Sequence, residues 1–294
     1  MSVQAQAQRL TVHARTQRQV RPAAGLTRVA FYLLVLIILL PFLFVFYWMI
    51  VNSFKDQVDA QAYPPQLIPL RPTLANYQAL FQDPANPFFQ FTFNSLLIAA
   101  GATLFGLLLG LPAAYSIARY KQRGLGLAIL TARIMPGISF LVPLYIAFSR
   151  LHIIDTYVSL IISHLVVTLP IVTWLMIGFF EDLPIELEEA ARVDGSSLLG
   201  TFWRVSLPLT KPGIAVSAIL AFIFSWNNFM FSLVLTSTNT KTLPVAVFNF
   251  MGYSNINYGA ISAAAALITL PVILLALSVQ RHIVQGLTLG GVKG

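Results

Sequence analysis

Long apolar stretches with almost no charge dominate this sequence and constrain what the chain can fold into. Six of them are each long enough to cross the hydrocarbon of a bilayer as a helix, which takes roughly 20 residues. Backbone polar groups in lipid must be satisfied internally, so the expected fold class is an all-α integral membrane protein with about six transmembrane helices. The predicted spans are residues 29–51, 93–118, 127–149, 156–180, 213–236 and 258–280.

Composition supports this fold class over a water-soluble one. The chain is 57% hydrophobic and only 10% charged, whereas soluble domains carry roughly 25% charged residues. The net charge of +8 would suggest nucleic-acid binding in a soluble protein. Here the basic residues lie between apolar spans, so we expect contact with membrane lipid and no nucleic-acid partner. The sequence has no cysteine, which excludes disulfides, thiol catalysis and cysteine-based metal sites.

The distribution of lysine and arginine predicts the orientation of the spans. If the N-terminus is cytoplasmic, 13 of the 18 basic residues fall in cytoplasmic segments and four in segments on the other side, as the positive-inside rule requires. An even number of spans then places both termini in the cytoplasm. The resulting domain organisation is a basic N-terminal tail (1–28), a transmembrane domain (29–280) and a cytoplasmic C-terminal tail (281–294).

The first loop on the outer side, about residues 52–92, is long and contains six prolines. Proline disfavours helix interiors and favours extended or turning chain. The loop is interpreted either as a surface cap or docking segment, or as a simple connector.

The cytoplasmic loop at residues 181–212 holds six of the ten acidic residues of the chain. Its pattern predicts a helical hairpin. Asp182 and Pro184 suit the start of a first helix, and Asp194-Gly195 suits its end, because glycine accepts a left-handed conformation readily. Ser196 or Ser197 can cap a second short helix, which Leu207-Pro208 is expected to terminate.

The same loop carries a long motif. It reads Glu189-Ala190-Ala191-Arg192-Val193-Asp194-Gly195, followed after nine residues by Val205-Ser206-Leu207-Pro208. This resembles the EAA signature of the permease subunits of ATP-binding-cassette (ABC) importers, E-A-A-x3-G-x9-I-x-L-P, with valine in place of isoleucine at 205. The resemblance implies a type I importer permease fold and a coupling helix that docks on the ATPase. The residues it assigns to ATPase coupling are Glu189, Ala190, Ala191, Asp194, Gly195, Leu207 and Pro208.

Further segments extend the resemblance over most of the chain. They are Asn94-Ser95, the run from Ala113 to Arg119, the run from Phe224 to Asn228, and the tail from Gln285 to Gly294. Together they are similar to the carbohydrate branch of the family, and to the smaller permease of maltose-type importers. The resemblance implies a bacterial or archaeal inner membrane, and as partners a second, non-identical permease, an ABC ATPase dimer and an extracytoplasmic sugar-binding protein.

Two absences agree with an external energy source. A Walker A loop needs glycine directly before lysine, and none of the five lysines follows a glycine. ATP and Mg²⁺ are therefore expected to be used by the partner ATPase, with no catalytic residue or cofactor on this chain. The six spans contain no Asp or Glu, although proton- and sodium-coupled carriers commonly use such carboxylates.

Polar and aromatic residues inside the spans are candidates for the solute path. They are Asn94, Phe222, Trp226, Asn227 and Asn228. Amides can bind sugar hydroxyls and aromatic rings can stack on a sugar face, or the same groups can join helix to helix. Two adjacent residues lie about 100° apart on a helix, so only one of Asn227 and Asn228 can face the path.

Three other intramembrane features are interpreted conservatively. Pro136-Gly137 and Pro143 interrupt the third span and predict kinks that form a gate or are mere irregularities of packing. His164 has no ligand spacing around it, so a packing or hydrogen-bonding role is favoured and no metal site is expected. Arg133 is expected to extend toward the interface.

These features lead to the hypothesis of a permease subunit of an ATP-driven importer for a sugar or oligosaccharide. Two alternatives remain. One is an ABC permease for another polar solute, such as glycerol phosphate, and the other is a self-contained secondary carrier.

Overall fold

The structure, a computed structural model, describes residues 23–84, 86–250 and 256–290. Almost all regular structure in these ranges is helical. The α-helices are α1 Ala23–Ser53, α2 Gln57–Ala60, α3 Ala75–Gln82, α4 Phe88–Arg119, α5 Arg123–Ile134, α6 Ile138–Arg150, α7 Tyr157–Glu181, α8 Ile185–Val193, α9 Leu198–Thr201, α10 Leu207–Leu209, α11 Lys211–Trp226, α12 Met230–Leu235, α13 Leu243–Ala246 and α14 Tyr258–Gly290. A π-helical turn spans Phe202–Ser206 and a 3₁₀ turn spans Val247–Phe250.

The chain divides into two compact units, residues 1–49 and 50–294. The first unit contains most of α1, whose large apolar side chains are exposed over residues 29–46. The helix begins six residues before the predicted span, because residues 23–28 are helical. The rest of the predicted N-terminal tail lies outside the described residues.

Four described helices are long and apolar enough to cross a membrane: Thr27–Ser53, Phe88–Arg119, Tyr157–Glu181 and Tyr258–Ser278. A fifth results if Leu198–Leu209 and Lys211–Trp226, which meet at an angle of 79°, are taken as one broken span. The all-helical class is therefore as predicted. The predicted spans 29–51, 93–118 and 258–280 each lie within one helix, and the span 156–180 begins one residue before α7.

The second unit is built around the contact between α4 and α7. Small residues on α4 allow this contact. An added methyl group at Gly106 would lie 3.3 Å from Thr168, and one at Gly110 would lie 2.8 Å from Val172. Small residues have the same effect wherever membrane helices pack closely. Thr168 also donates from its hydroxyl to the carbonyl of Ala102, at 3.3 Å. The two helices therefore pack closely at Gly106 and Gly110.

The paired residues fix the relative directions of the core helices. Gly101 faces Ile161, and Gly110 faces Val172, so α4 and α7 run the same way. The third core helix runs the opposite way, because Gly213 near the start of α11 lies against Phe179 near the end of α7.

The third predicted span is not one helix, and this corrects the sequence interpretation. The segment 127–149 consists of α5 and α6, separated at residues 135–137. Met135 precedes Pro136 and is extended (φ −62°, ψ 131°), as steric conflict with a following proline favours. The predicted interruption at Pro136-Gly137 is therefore confirmed, whereas Pro143 lies inside α6.

The fifth predicted span, 213–236, is also broken, since α11 ends at Trp226 and α12 begins at Met230. At the other end of the chain, α14 continues to Gly290. The residues predicted as a C-terminal tail are therefore helical as far as 290, and residues 291–294 lie outside the described part.

The proline-rich loop at 52–92 packs on the bundle through α3, whose Leu80 is fully buried. The side-chain amide of Asn76 donates to the carbonyls of Ser53 and Lys55, at 2.9 and 2.7 Å. Lys55 is itself buried, and its ammonium group donates to the Gln66 carbonyl at 2.5 Å. The loop therefore satisfies the last carbonyl of α1 and that of Lys55 just beyond it.

Asp155, just before α7, holds the segment after α12 in place. Its carboxylate accepts backbone N–H bonds from residues 237–240 and side-chain bonds from Asn239 and Thr240, at 2.7 to 3.2 Å. Its own backbone N–H donates to the carbonyl of Leu235, at 3.0 Å. Partial burial alone would raise the pKa of Asp155, but these hydrogen bonds outweigh it and lower the pKa to about 2.

Replacing Asp155 is expected to destabilise the protein, because several backbone donors lose a charged acceptor. For Asp155→Asn we expect a loss of about 2 kcal/mol in the free energy of unfolding, measured as a lower melting temperature in detergent. Asp182→Asn, at an exposed carboxylate, is the matched control.

The pH dependence of that difference follows from the lowered pKa. A carboxyl whose folded pKa lies below its unfolded value of about 3.9 contributes its full stabilisation above that value. The advantage of the wild type over Asp155→Asn should persist down to about pH 4 and disappear toward pH 2. A difference that stayed constant to pH 2 would contradict this assignment.

Close approach of α4 and α7 predicts a sharp contrast between two glycines. Gly110→Ala would place a methyl group 2.8 Å from Val172 and should cost about 1–3 kcal/mol by overpacking. Gly178→Ala, in open space on α7, should be neutral or stabilise by up to about 1 kcal/mol. Equal melting temperatures for the two purified variants would argue against tight packing at Gly110.

Candidate coupling site and solute path

Helix α8 forms as the loop sequence predicts. It begins after Pro184 with Glu186 and Glu188 in its first turn, where carboxylates interact favourably with the helix dipole. It ends at Val193, and Gly195, two residues later, has a left-handed φ of +88°. The backbone N–H of Ser196 then donates to the Ala191 carbonyl at 2.9 Å, which closes the last turn.

The second half of the loop differs from the prediction. Ser197 caps α9 by accepting from the Gly200 N–H at 3.1 Å, as one of the two expected caps. The helical run then continues through the π-helical turn, which was not predicted, and ends at Leu209, one residue after the predicted stop at Leu207-Pro208. The chain bends by 79° there.

The predicted coupling residues fall into two groups. Glu189, Ala190, Asp194 and Gly195 are exposed and Ala191 is half-buried. Pro208 is exposed as well, whereas Leu207 is buried in a core cluster with Tyr115 and Phe202. The EAA segment thus presents a surface, and the Leu207 end of the motif is part of the core.

Glu188, which precedes the motif, is the most tightly bound residue of the loop. Its carboxylate accepts hydrogen bonds from Tyr115 Oη at 2.9 Å, Ser206 Oγ at 2.8 Å and Arg119 Nη2 at 2.8 Å. Arg119 Nε contacts both carboxylate oxygens at 3.0 Å. Four polar groups from α4, α8 and the π-helical turn therefore meet at one buried point.

The ion pair of Glu188 and Arg119 is nearly dry, with 4% and 12% of the two side chains exposed. Burial alone would raise the pKa of Glu188, but bonds from Arg119, Ser206 and Tyr115 outweigh it and hold the pKa below its usual value. The carboxylate therefore remains ionised at neutral pH, and its negative charge stays bonded to the guanidinium.

Aromatic packing surrounds the ion pair. The ring of Tyr115 packs edge-on against Phe180, with centroids 5.4 Å apart, and against Phe202 at 4.9 Å. Arg119 Nη2 also donates to the Leu183 carbonyl at 3.2 Å. The ends of α4 and α7 are consequently joined to the start of α8.

Sequence reasoning missed this cluster. The motif drew attention to Glu189, although Glu188 lies three residues before the half-buried Ala191, on the inner face of the same helix. The available signal was Arg119, a basic residue at the end of an apolar span, together with the acid-rich loop at 181–212. That signal identifies Arg119 but not which of six acids it binds.

The break in the fifth span separates the predicted path residues. Trp226 is buried, and its indole N–H donates to the Ile268 carbonyl at 3.1 Å. Phe222 is half-buried and stacks on Trp226, with centroids 5.8 Å apart. These two rings pack against α14.

The adjacent asparagines lie in the break between α11 and α12 and differ in exposure. Asn227 is exposed, and its amide donates to the Ile223 carbonyl of its own turn at 3.0 Å. Asn228 is half-buried, and its side-chain oxygen accepts from the Phe231 N–H at 3.2 Å, at the start of α12. Asn227 is therefore the one whose side chain faces outward.

Asn94 is fully buried. Its amide donates to the carbonyls of Asn239 and Lys241, both at 3.0 Å, and accepts from Tyr157 Oη at 2.7 Å. These contacts support a structural role and leave it no surface for a solute. His164 is also buried, and its Nδ1 lies 2.7 Å from Ser225 Oγ, which confirms the favoured hydrogen-bonding role.

Comparison with known proteins relates this geometry to a family. Residues 106–289 match the family described as binding-protein-dependent transport system inner membrane component. The trehalose/maltose transport system permease protein MalG of Thermococcus litoralis is 35% identical over 257 residues, which cover 86% of this chain and 92% of the relative. The trehalose transport system permease protein SugB of Mycobacterium tuberculosis is 38% identical over 78% of this chain and 85% of its own length.

Among solved structures, a bacterial ABC transporter involved in the import of the acidic polysaccharide alginate has a similar fold. Its chain superposes with a TM-score of 0.70 at 20% identity, covering 90% of this chain and 98% of that one. The family match covers more than half of the sequence, and the relatives align over most of their length. The chain therefore belongs to the binding-protein-dependent inner membrane components, the permease subunits of ABC importers.

Proposed function

We propose that this chain forms half of the translocation pathway of an ATP-driven importer for a sugar or oligosaccharide. The observation that carries the proposal is the construction of α8, which exposes Glu189 and Asp194 on one side and buries Glu188 on the other. A helix built in this way can receive movement from a partner and deliver it to the spans.

The substrate class is supported by the relatives. The permease with 35% identity is named for trehalose and maltose, and the one with 38% identity is named for trehalose. Sugars are polar and uncharged, and the described part of the fifth span offers an exposed amide, Asn227, for their hydroxyl groups.

Six crossings account for the directions of the helices. Because α4 and α7 run the same way, the chain between them returns across the bundle through α5 and α6. In the same way α11 and α12 together run from Phe179 to the Asp155 end of α7. With α1 and α14 this gives six crossings, and the excess of basic residues places both termini in the cytoplasm.

The proposed solute path passes the break in the fifth span. Irregular backbone at membrane depth is tolerated only where protein buries it or water reaches it. Residues 227–229 form such a segment between α11 and α12. Phe248, which is 52% exposed and stacks on Phe229 with centroids 4.9 Å apart, adds an aromatic surface on which a sugar face can rest.

The proposed assembly contains a second, non-identical permease, an ATPase dimer and an extracytoplasmic sugar-binding protein. The ATPase would bind ATP and Mg²⁺ and dock on α8, whose exposed carboxylates attract basic groups. Another polar solute, such as glycerol phosphate, is the second candidate, because substrate choice also rests with the binding protein. A self-contained secondary carrier is disfavoured, because such carriers commonly use intramembrane carboxylates and no Asp or Glu lies within the predicted spans.

The test is transport by the purified complex in proteoliposomes, with labelled trehalose, maltose and glycerol phosphate offered through the binding protein. We expect uptake of a sugar that requires hydrolysable ATP and all four kinds of subunit. Uptake of the same solute by this chain alone, without an ATPase, would overturn the proposal in favour of a secondary carrier.

Gly195 should be required for docking of the ATPase. Its φ of +88° is unfavourable for other residues, so Gly195→Val adds strain of roughly 1–2 kcal/mol and displaces the end of α8. We expect recovery of the ATPase with this chain in affinity purification to fall at least fivefold. Gly178→Ala, in open space, is the control, and equal recovery for both variants would argue against α8 as the docking element.

Asn227 should contribute to solute binding and Asn228 to structure. Loss of one hydrogen bond to solute, about 1.4 kcal/mol, predicts that Asn227→Ala raises the solute concentration for half-maximal uptake about tenfold, without lowering the melting temperature. Asn228→Ala removes a bond at the start of α12 and should lower the melting temperature instead. Unchanged uptake by the first variant would remove Asn227 from the path.

A further inference from the structure

We propose that the Glu188–Arg119 ion pair is the joint that makes α8 and the ends of α4 and α7 move as one body. This inference rests on the proposed function, because it specifies how movement of the coupling helix would reach the membrane spans. It assigns the transmitting role to a residue outside the EAA motif.

The geometry of the pair fixes orientation as well as distance. Arg119 contacts both carboxylate oxygens of Glu188 through Nε and one of them through Nη2, at 2.8 to 3.0 Å. A planar guanidinium held in this way resists rotation, which a single hydrogen bond does not. Tyr115 and Ser206 occupy further positions on the same carboxylate, so α8 is held on α4 by two side chains and on the π-helical turn by a third.

Burial makes the joint stiff. With 4% of Glu188 and 12% of Arg119 exposed, water is not available to replace a bond that opens. Separating buried opposite charges leaves both uncompensated, which is strongly unfavourable. When α8 is displaced, α4 is therefore expected to move with it while the ion pair stays intact.

The same guanidinium extends the joint to α7. Its Nη2 donates to the carbonyl of Leu183, in the turn between α7 and α8. The rings of Phe180 and Phe202 contact Tyr115 on two sides. The ends of two core helices and the first half of the loop thus form one packed unit.

The other end of the loop is attached differently. The chain bends by 79° between α10 and α11, and Thr210 at the bend uses its hydroxyl to bond carbonyls of its own preceding turn. The connection to α11 is a bend without an ion pair. The loop is therefore joined to α4 and α7 by an ion pair and ring contacts, and to α11 by a bend in the chain.

The neighbouring glutamates of α8 lie on different faces of the helix. Glu189 is exposed and Glu188 is buried, about 100° apart around the helix. Force applied at the Glu189 surface is delivered at Glu188. Loss of Glu188 should therefore leave docking intact but separate ATP hydrolysis from transport.

The decisive variant is the double substitution Glu188→Gln/Arg119→Gln. Each single variant leaves one buried charge unpaired and is destabilised for that reason, whereas the double variant leaves none. It retains hydrogen-bonding groups but loses the bidentate charge pair. In the assembled complex we expect ATP hydrolysis within about threefold of wild type and at least tenfold less solute moved per ATP.

Matched controls are available elsewhere on the chain. Glu181→Gln and Arg150→Gln make the same chemical changes at exposed positions outside α8 and outside its proposed docking surface. We expect each to keep the solute-to-ATP ratio within about twofold of wild type. A double variant that transports at the wild-type ratio would overturn the inference, and so would one that fails to assemble, because the pair would then be a folding element only.

A distance measurement separates this inference from the proposed function. The chain has no cysteine, so spin labels can be placed at Tyr120→Cys beside α4 and Val193→Cys on α8, which are 60% and 87% exposed. We expect one narrow distance distribution in the wild-type background, unchanged by ATP, and a broad one in the double variant. A wild-type distance that shifts by several Å or is already broad would overturn the joint, whereas absence of ATP-driven uptake would count only against the proposed function.

Discussion

The close approach of α4 and α7 determines where the other elements of the second unit lie. Gly106 and Gly110 bring the two backbones together, and the helices run parallel from that contact. Parallel neighbours require the chain to return between them, which α5 and α6 do in two pieces. The same contact places Tyr115 and Arg119, five and nine residues beyond Gly110, near the point where α7 ends and the loop begins. The ion pair with Glu188 is possible because small residues on α4 set the spacing first.

The breaks in the two spans have different causes, and only one of them could be predicted from the sequence. Pro136 forces Met135 into an extended conformation, so that interruption could be predicted from the sequence. The break at 227–229 has no proline or glycine in it. It depends on the indole of Trp226 bonding the Ile268 carbonyl on α14 and on Asn228 starting a new helix at Met230. These are tertiary contacts, which apolar periodicity does not reveal.

Much of the coupling loop could likewise be predicted, because its helix boundaries depend on neighbouring residues. Pro184, Ser197 and Gly195 act within one turn of themselves. Which face of α8 would be buried could not be predicted, because Glu188 and Glu189 have the same side chain and differ only in direction. The positions of polar and aromatic residues in the fifth span made the amide of Asn227 and the indole of Trp226 candidates for the solute path or for helix-to-helix contacts. The structure leaves the amide of Asn227 exposed and buries the indole of Trp226, because the latter packs on a helix more than 30 residues later in the chain.

Two ionised carboxylates lie just beyond opposite ends of α7, and together they indicate where the protein can move. Asp155 binds the segment that follows α12, and Glu188 binds the end of α4. Each is surrounded by more donors than a single hydrogen bond requires, so α7 is anchored at both ends. Between these anchors the chain from Thr210 to Leu235 contains a 79° bend and the break at 227–229. Under the proposed function we expect relative motion of the anchored body and α11 to be concentrated at those two positions, the second of which carries the exposed Asn227. A shift delivered through Glu188 would then change the surroundings of the proposed solute path without unfolding any helix.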